Sequence, residues 1–227
     1  EFFGGTVDAK HLICQHNEDD GFDMDNGYQG RLQFLVLQQD PTHPGEDNGF
    51  EIDNDAQGSA NQPLTAPTIY NVTLAGKNLD ADNVQYGMLI RRNARGSYNN
   101  IVVTGFDASV DVRDVSTKNG ITPPMGEPAL SIKGTLFWNT QGQGVVDNIA
   151  YPEDGATAPN KDNDGAFDEI GWLKTGSLGN LWNVDPGINC FDANDGFFDA
   201  AATYIGAFKD ANDKWATTGN WAVWSDQ

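Results

Sequence analysis

The chain has 227 residues, with 13 Lys and Arg against 33 Asp and Glu, a formal net charge of −20. That acid excess argues against nucleic-acid binding, which needs Lys/Arg patches to neutralise phosphates, and against docking on an anionic membrane surface. Hydrophobic residues make up 38% and aromatic residues 11%, enough for a core, and no apolar run approaches the ~20 residues of a spanning helix.

In chain order, the segment starts at Glu1 without an initiator Met or a signal peptide, and strand-like EFFGGTVDAKHLIC follows at once. It reads as a processed or internal segment of a longer product. Short β-like runs then recur at Thr6–Gln15, Leu32–Gln39, Thr68–Gly76, Asn99–Phe106 and Ala129–Asn139. Each is rich in β-branched and aromatic residues and bounded by Gly, Pro, Asn or Asp, the signature of a strand. Helical periodicity is absent from the first 140 residues.

Between these runs lies an internal repeat. DDGFDMDNGYQG (Asp19–Gly30) aligns without a gap on DNGFEIDNDAQG (Asp47–Gly58), a period of 28 residues. Gly21 matches Gly49, Phe22 matches Phe50, Asp23 matches Glu51, Met24 matches Ile52 and Asp25 matches Asp53. YGMLIRRNARG (Tyr86–Gly96) is a weaker third copy, and SVDVRD (Ser109–Asp114) a fourth trace. A unit of strand, turn, shorter strand and loop cannot bury its apolar side chains alone, whereas stacked copies bury them in one column. The expected fold is all-β: a right-handed parallel β-helix, a solenoid of about five coils over residues 1–140. A β-sandwich is the alternative, but its strands carry no such residue-by-residue match.

Residues 141–170 are rich in Gly, Pro, Asn and Asp and read as a long acidic loop. The stretch 171–227 holds five of the six tryptophans. Within it, Asp195–Phe208 has apolar residues at 197, 201, 204, 205 and 208, which predicts a short amphipathic helix. Residues 141–227 are therefore expected to form an acidic loop and an aromatic C-terminal cap on the β-helix.

GGTVDAKHL, DDGFDMDNGYQGRLQFLVLQQD, NGFEIDND, PTIYNVTLAG, GMLIRRNARGSYNNIVVTGF and the closing YIGAF with its tryptophans resemble a group of large secreted or surface-anchored bacterial proteins. These lipoprotein-like, mostly uncharacterised proteins are right-handed parallel β-helices, and the likeness is to their C-terminal part. The resemblance implies this fold and an extracellular or outer-surface location. It brings no activity with it.

Stacked in register, the repeats set Asp23 above Glu51 and Asp25 above Asp53, with like charges one rung, about 4.8 Å, apart. Such carboxylates raise one another's pKa, and a calcium ion, which takes 6–8 oxygen ligands, would relieve them. Otherwise they form a solvated face. NKDNDGAFDEIG resembles the start of an EF-hand loop, with Asn160, Asp162, Asp164 and Gly165 at its first, third, fifth and sixth positions. Its twelfth position is Gly171 where a bidentate Glu is required, so a looser calcium loop is the reading that survives.

Catalysis on polysaccharide is the rival reading. Hydrolases of this fold use close carboxylates as acid and base, for which Asp19, Asp20 and Asp23 are candidates; a lyase would use Arg91, Arg92 or Arg95. The Gly-His and Arg-Ile-Lys elements of polygalacturonase-like enzymes are absent, and an anionic substrate would meet a chain of charge −20. His11, His16 and His43 lack metal-ligand spacing, and no G-x-S-x-G elbow is present. Cys14 and Cys190 either pair, restricting the unfolded chain by about 4–5 kcal/mol, or stay buried as thiols. Trp215, Trp221 and Trp224 either stack sugars or close one end of the column. The chain is thus expected to be an extracellular structural or adhesive module, calcium-stabilised and self-assembling head to tail, or else a polysaccharide-acting enzyme or carbohydrate-binding module.

Overall fold

The computed structural model describes residues 1–78, 85–138, 164–165, 167–182, 196–219 and 221–222. The strands in chain order are β1 (Phe2–Phe3), β2 (Ala9–Gln15), β3 (Phe22–Asp25), β4 (Arg31–Gln38), β5 (Phe50–Ile52), β6 (Thr68–Ala75), β7 (Tyr86–Ile90), β8 (Gly96–Thr104), β9 (Ala108–Val112), β10 (Leu130–Lys133), β11 (Leu136–Trp138) and β12 (Leu181–Trp182). Two short helices, α1 (Val115–Lys118) and α2 (Glu169–Leu173), accompany them, and α1 falls inside the stretch that lacked helical periodicity. Sheet A has the order β1-β3-β5-β7-β9; sheet B has the order β12-β11-β8-β6-β4-β2, with β10 also on β8. Every pairing is parallel. From β1 to β9, consecutive strands alternate between the two sheets, so each turn of the chain contributes one strand to each. This is a parallel β-helix, as the repeat predicts.

The repeat is a register. Phe22, Phe50, Met88 and Val110 are paired in succession across sheet A, and Met24, Ile52, Ile90 and Val112 form the adjacent inward row. Sheet B supplies Leu37, Leu74 and Val103 in the same way. All these side chains are buried, and each full burial is worth about 1.5–3 kcal/mol relative to exposure. Where the coils enter sheet A, Gly21, Gly49 and Gly87 stack. A Cβ on Gly49 would lie 2.3 Å from the Gly87 carbonyl oxygen, so the coils approach too closely for any side chain.

One conformation bends every rung of sheet B. His11, Phe34, Asn71 and Asn100 occupy matching positions in β2, β4, β6 and β8, with φ of 61°, 62°, 57° and 58°. The registers of β10, β11 and β12 place Gly134 (φ 59°) and Gly179 (φ 64°) in the same row. A left-handed residue turns the strand through a corner, so each coil has a straight segment on either side of it. The conformation costs an L-residue about 1–2 kcal/mol, least for Asn and nothing for Gly. Phe34 offsets its cost by stacking on His11 at 4.8 Å. The row also carries the column past residue 140, since residues 178–182 add a sixth rung to sheet B.

The tail departs from expectation. Residues 196–208 are bends and turns, not a helix. Gly196 and Gly206 sit at φ 86° and 90°, outside helical space. Apart from two turn bonds, from Ala202 N–H to the Asp199 carbonyl and from Thr203 N–H to the Ala201 carbonyl, backbone groups here are bound by sheet B. Gln33 accepts from Asp199 N–H at 2.7 Å, Thr73 Oγ1 from Ala207 N–H at 3.0 Å, and the Asn100 carbonyl from Gly206 N–H at 2.8 Å. The tail therefore runs along the flank of the column rather than closing its end.

Asn71 serves both corner and tail. It is fully buried, its Oδ1 accepts from Gln33 at 3.0 Å and its Nδ2 donates to the Tyr204 carbonyl at 2.7 Å. The burial also closes its N-V-T pattern as a glycosylation acceptor. Asn71→Ala should cost about 2–4 kcal/mol in urea unfolding, the sum of left-handed strain and two lost hydrogen bonds. Asn71→Gly, which keeps the corner, should cost visibly less; equal losses would remove the corner from the explanation.

Candidate functional site

The outward face of sheet A carries two charged rows. Asp23, Glu51, Leu89 and Asp111 follow one another in register. Two residues further along each coil come Asp25, Asp53, Arg91 and Arg113. The Asp53, Arg91 and Arg113 N–H groups donate to the Met24, Ile52 and Ile90 carbonyls, which continues the ladder. The acidic ladder of the sequence therefore exists, but its Asp25–Asp53 row continues as guanidinium and its Asp23–Glu51 row as Leu89 and Asp111.

Arg91 reaches back one coil. Its Nε donates to Asp53 Oδ1 at 2.9 Å and its Nη2 to Glu51. Arg92 Nη1 donates to Asp53 Oδ2 at 2.5 Å. Asp53 is 4% exposed, so both of its oxygens are spent on arginine in a nearly dry setting. These partners are half-buried or more. Arg95 is buried and turned away from the acids, donating to the Asn93 and Ala94 carbonyls and to Asn93 Oδ1.

Asp20 lies beside these rows. Its Oδ1 accepts from the Asn48 backbone N–H at 3.0 Å and from Asn48 Nδ2 at 2.7 Å. Asn48 Nδ2 also stands 3.5 Å from Glu51 Oε2, and Asn48 Oδ1 accepts from Tyr86 N–H at 3.0 Å. One amide thus joins three coils. Burial pushes the Asp20 carboxyl up to about 7, despite these bonds and with help from Asp47 and Asp19. Burial, with Glu1 and Asp53 nearby, pushes Asp23 up to about 6. Glu51 is also raised, by burial and then by Asp20, against the pull of Arg91. Asp25 moves the same way, mainly through burial. Oxygens of Asp19, Asp20 and Asp47 lie within 4.8 Å of one another, a grouping that could hold a cation.

The remaining candidates scatter. Asp164 is fully buried, and Asn160 and Asp162 lie outside the described residues. Cys14 packs against the core in the row of Leu37, a half-buried free thiol pushed up by that burial; Cys190 lies outside the described residues. Trp215 is held between Phe208 and Trp221, at ring separations of 5.3 and 6.0 Å, and its edge meets His11 at 4.9 Å. Its two faces are therefore occupied. Trp221 is 52% exposed and borders an open cleft of about 390 Å³ with His11 and Trp215. Trp224 lies outside the described residues. Sequence reasoning missed Asn48, although the 28-residue repeat sets it on Asp20, and it missed the Asp111–Arg113 pair within the fourth trace.

A family model for a pectate-lyase-like β-helix domain matches residues 1–165. The chain belongs to that family. No curated protein and no solved structure matches it. For this pectate-lyase-like β-helix, sheet A offers two kinds of group. Asp20 and Asp23 exchange protons near neutral pH, the range useful for acid–base work. Arg91 and Arg92 are held against carboxylates of the neighbouring coil.

Asp20 and Asp23 bind protons more tightly in the folded chain than in the unfolded one, where a carboxyl titrates near 3.9. Their protonated forms stabilise the fold fully below that value, and this contribution is lost as pH rises through 6 and 7. The unfolding temperature should therefore fall between about pH 5 and pH 8, and Asp20→Asn should flatten the decline. A wild-type profile that rises over this window would contradict the assignment. Arg91→Met, which leaves the buried Asp53 and the largely buried Glu51 beside each other, should cost about 3–5 kcal/mol at neutral pH in denaturant unfolding, as for one-sided removal of a buried ion-pair partner.

Proposed function

We propose that this chain is a structural module of the cell exterior: a rigid, calcium-stabilised β-helix that stacks end to end. The observation that carries the reading is the use made of the acidic face. Asp53 gives both oxygens to Arg91 and Arg92, Glu51 is tied to Arg91, and Asp20 is tied to Asn48 of the next coil. The groups that a lyase or hydrolase would deploy are joining coils to one another. Location outside the cell follows from the surface proteins that the sequence resembles. Stacking is supported by the first rung, where Phe3 and Val7 are 65% and 66% exposed and β1 and β2 form the sheet edges. Such an edge is a template for another coil, whether from the same polypeptide or from a second copy, and repeated head-to-tail contacts make filaments.

A specific arrangement favours a second reading, action on polysaccharide. Asp20 and Glu51 share Asn48 and both carboxyls are raised, the elements of a proton donor, although the exposed Trp221 ring lies with His11 of sheet B and not beside them. With a net charge of −20 the substrate would be a neutral glycan rather than a uronate.

Light scattering of the chain across a concentration series, alongside incubation with neutral and acidic polysaccharides, separates the two. The structural reading expects mass to grow with concentration, Phe3→Asp to reduce it, and no glycan to be shortened. Monomers at every concentration would end the stacking hypothesis. Glycan products that vanish with Asp20→Asn would replace the structural reading with the enzymatic one.

A further inference from the structure

The first left-handed corner of sheet B is His11, at φ 61° in β2, and its side chain points out of the sheet onto the tail. The ring stacks on Phe34 of the next rung at 4.8 Å. The tail meets it with two tryptophans. A turn follows Trp215: Thr217 and Thr218 N–H both donate to the Lys214 carbonyl, and Gly219 extends the turn at φ 88°. Trp221 thereby returns onto Trp215, with ring centroids 6.0 Å apart and planes within 22° of parallel.

Both indoles are fixed by their own N–H groups. Trp215 Nε1 donates to the Ala207 carbonyl at 2.9 Å, and Trp221 Nε1 donates to the Trp215 carbonyl at 3.2 Å. Trp215 also stacks on Phe208 at 5.3 Å and meets His11 at 4.9 Å. The rings are therefore in place before any ligand arrives, which lowers the ordering cost of binding. His11, Trp215 and Trp221 line an open cleft of about 390 Å³, within the ~300–1,000 Å³ range of small-ligand sites. Trp221 is 52% exposed although one of its faces lies on Trp215, so much of the ring is left to this cleft.

The lining narrows the ligand. A flat indole suits the apolar C–H face of a pyranose ring. The two indoles stack in parallel instead of boxing a space, which makes a platform and not a cage for an ammonium group. Burial, and then Lys10, holds the His11 imidazole below its ordinary range against the pull of Asp213 and Asp199, so it is uncharged at neutral pH. A neutral imidazole offers one donor and one acceptor, which matches hydroxyl groups. Among the described residues no Lys or Arg lines the cleft, and the chain carries −20, so a uronate is disfavoured.

We infer that the cleft of His11, Trp215 and Trp221 binds a neutral saccharide, with Trp221 as the stacking platform and His11 as the hydroxyl partner. The site is built from sheet B and the tail, away from the charged rows of sheet A. It needs neither Asp20 nor Glu51, and it stands whether the chain is a structural module or acts on glycan.

The test is titration calorimetry on the full 227-residue chain with a soluble glucan, a mannan and a xylan, and with polygalacturonate as the acidic control. Wild type should bind at least one neutral polymer and not polygalacturonate. Trp221→Ala should weaken that binding by about tenfold or more, the loss expected on truncating a tryptophan anchor. Its unfolding temperature should stay close to wild type, because the ring is half in solvent. His11→Phe, a residue the next rung already holds at its corner as Phe34, keeps a ring but removes the polar edge, and should also weaken binding. If Trp221→Ala fails to fold, His11→Phe decides alone. Asp20→Asn should bind as wild type does. Binding unchanged in Trp221→Ala, binding to polygalacturonate only, or no binding to any of the polymers overturns the site. Binding lost in Asp20→Asn and kept in Trp221→Ala also overturns it, and moves the saccharide to the acidic face of sheet A.

Discussion

A left-handed residue at the same place in every rung of sheet B is the constraint on which the rest of the molecule depends. Without that corner, β4 or β6 would run straight and the coil would not close around its apolar column. With it, Leu32 and Leu35 lie on either side of the bend and both face inward. Gln33 and Phe34 are thereby set as two successive outward positions, and the same happens at Tyr70 and Asn71 and at Asn99 and Asn100. The tail binds to part of this row. The interior, the corner and the outer lining are thus consequences of one backbone choice repeated six times.

The charged rows of sheet A answer a second problem that stacking creates. Parallel in-register coils bring like side chains together, which is favourable for Phe22 over Phe50 and unfavourable for Asp23 over Glu51. The chain eases the conflict by changing sign once in the adjacent row, where Asp25 and Asp53 are followed by Arg91 and Arg113 and Arg91 reaches Glu51. Burial then determines how much each group feels. Asp53 has two guanidinium partners in a dry place, whereas Asp20, bound only by Asn48, has its carboxyl pushed up to about 7 by burial. A face that looks uniformly acidic in the sequence is therefore graded, from protonatable carboxyls in the first coils to closed ion pairs in the later ones.

Much of this was legible in the sequence, for a physical reason. Stacking requires the same residue class at the same place, so Gly21 on Gly49 and Met24 on Ile52 could be read directly as register. The corner row was not legible, because His, Phe, Asn and Gly share a backbone conformation there and not a chemistry; only the aligned Asn71 and Asn100 hinted at it. The tail misled for the opposite reason. Its apolar residues have helical spacing, but Ala201 is exposed while Phe198 and Ala207, off that stripe, are buried. The pattern was coincidental because the tail makes only isolated turn bonds of its own, and sheet B binds the Asp199, Gly206 and Ala207 N–H groups. At the site, the carboxylates were readable and their depth was not, since burial of Asp53 and Asp111 depends on segments distant in sequence.

The way the tail is fastened has a consequence for how this protein can vary. The coils grip it largely through its peptide groups, with Gln33, Asn71, Thr73 and the Asn100 carbonyl reaching for N–H and C=O atoms that every residue except proline possesses. The specification of the contact is therefore written on one partner only. Substitutions along the tail can drift with little effect on its docking, apart from Phe198 against Tyr70 and the Trp215 stack. A single change at Asn71 alters the grip and the corner together. Sequence divergence among such chains should pool in the strap and spare the surface that holds it.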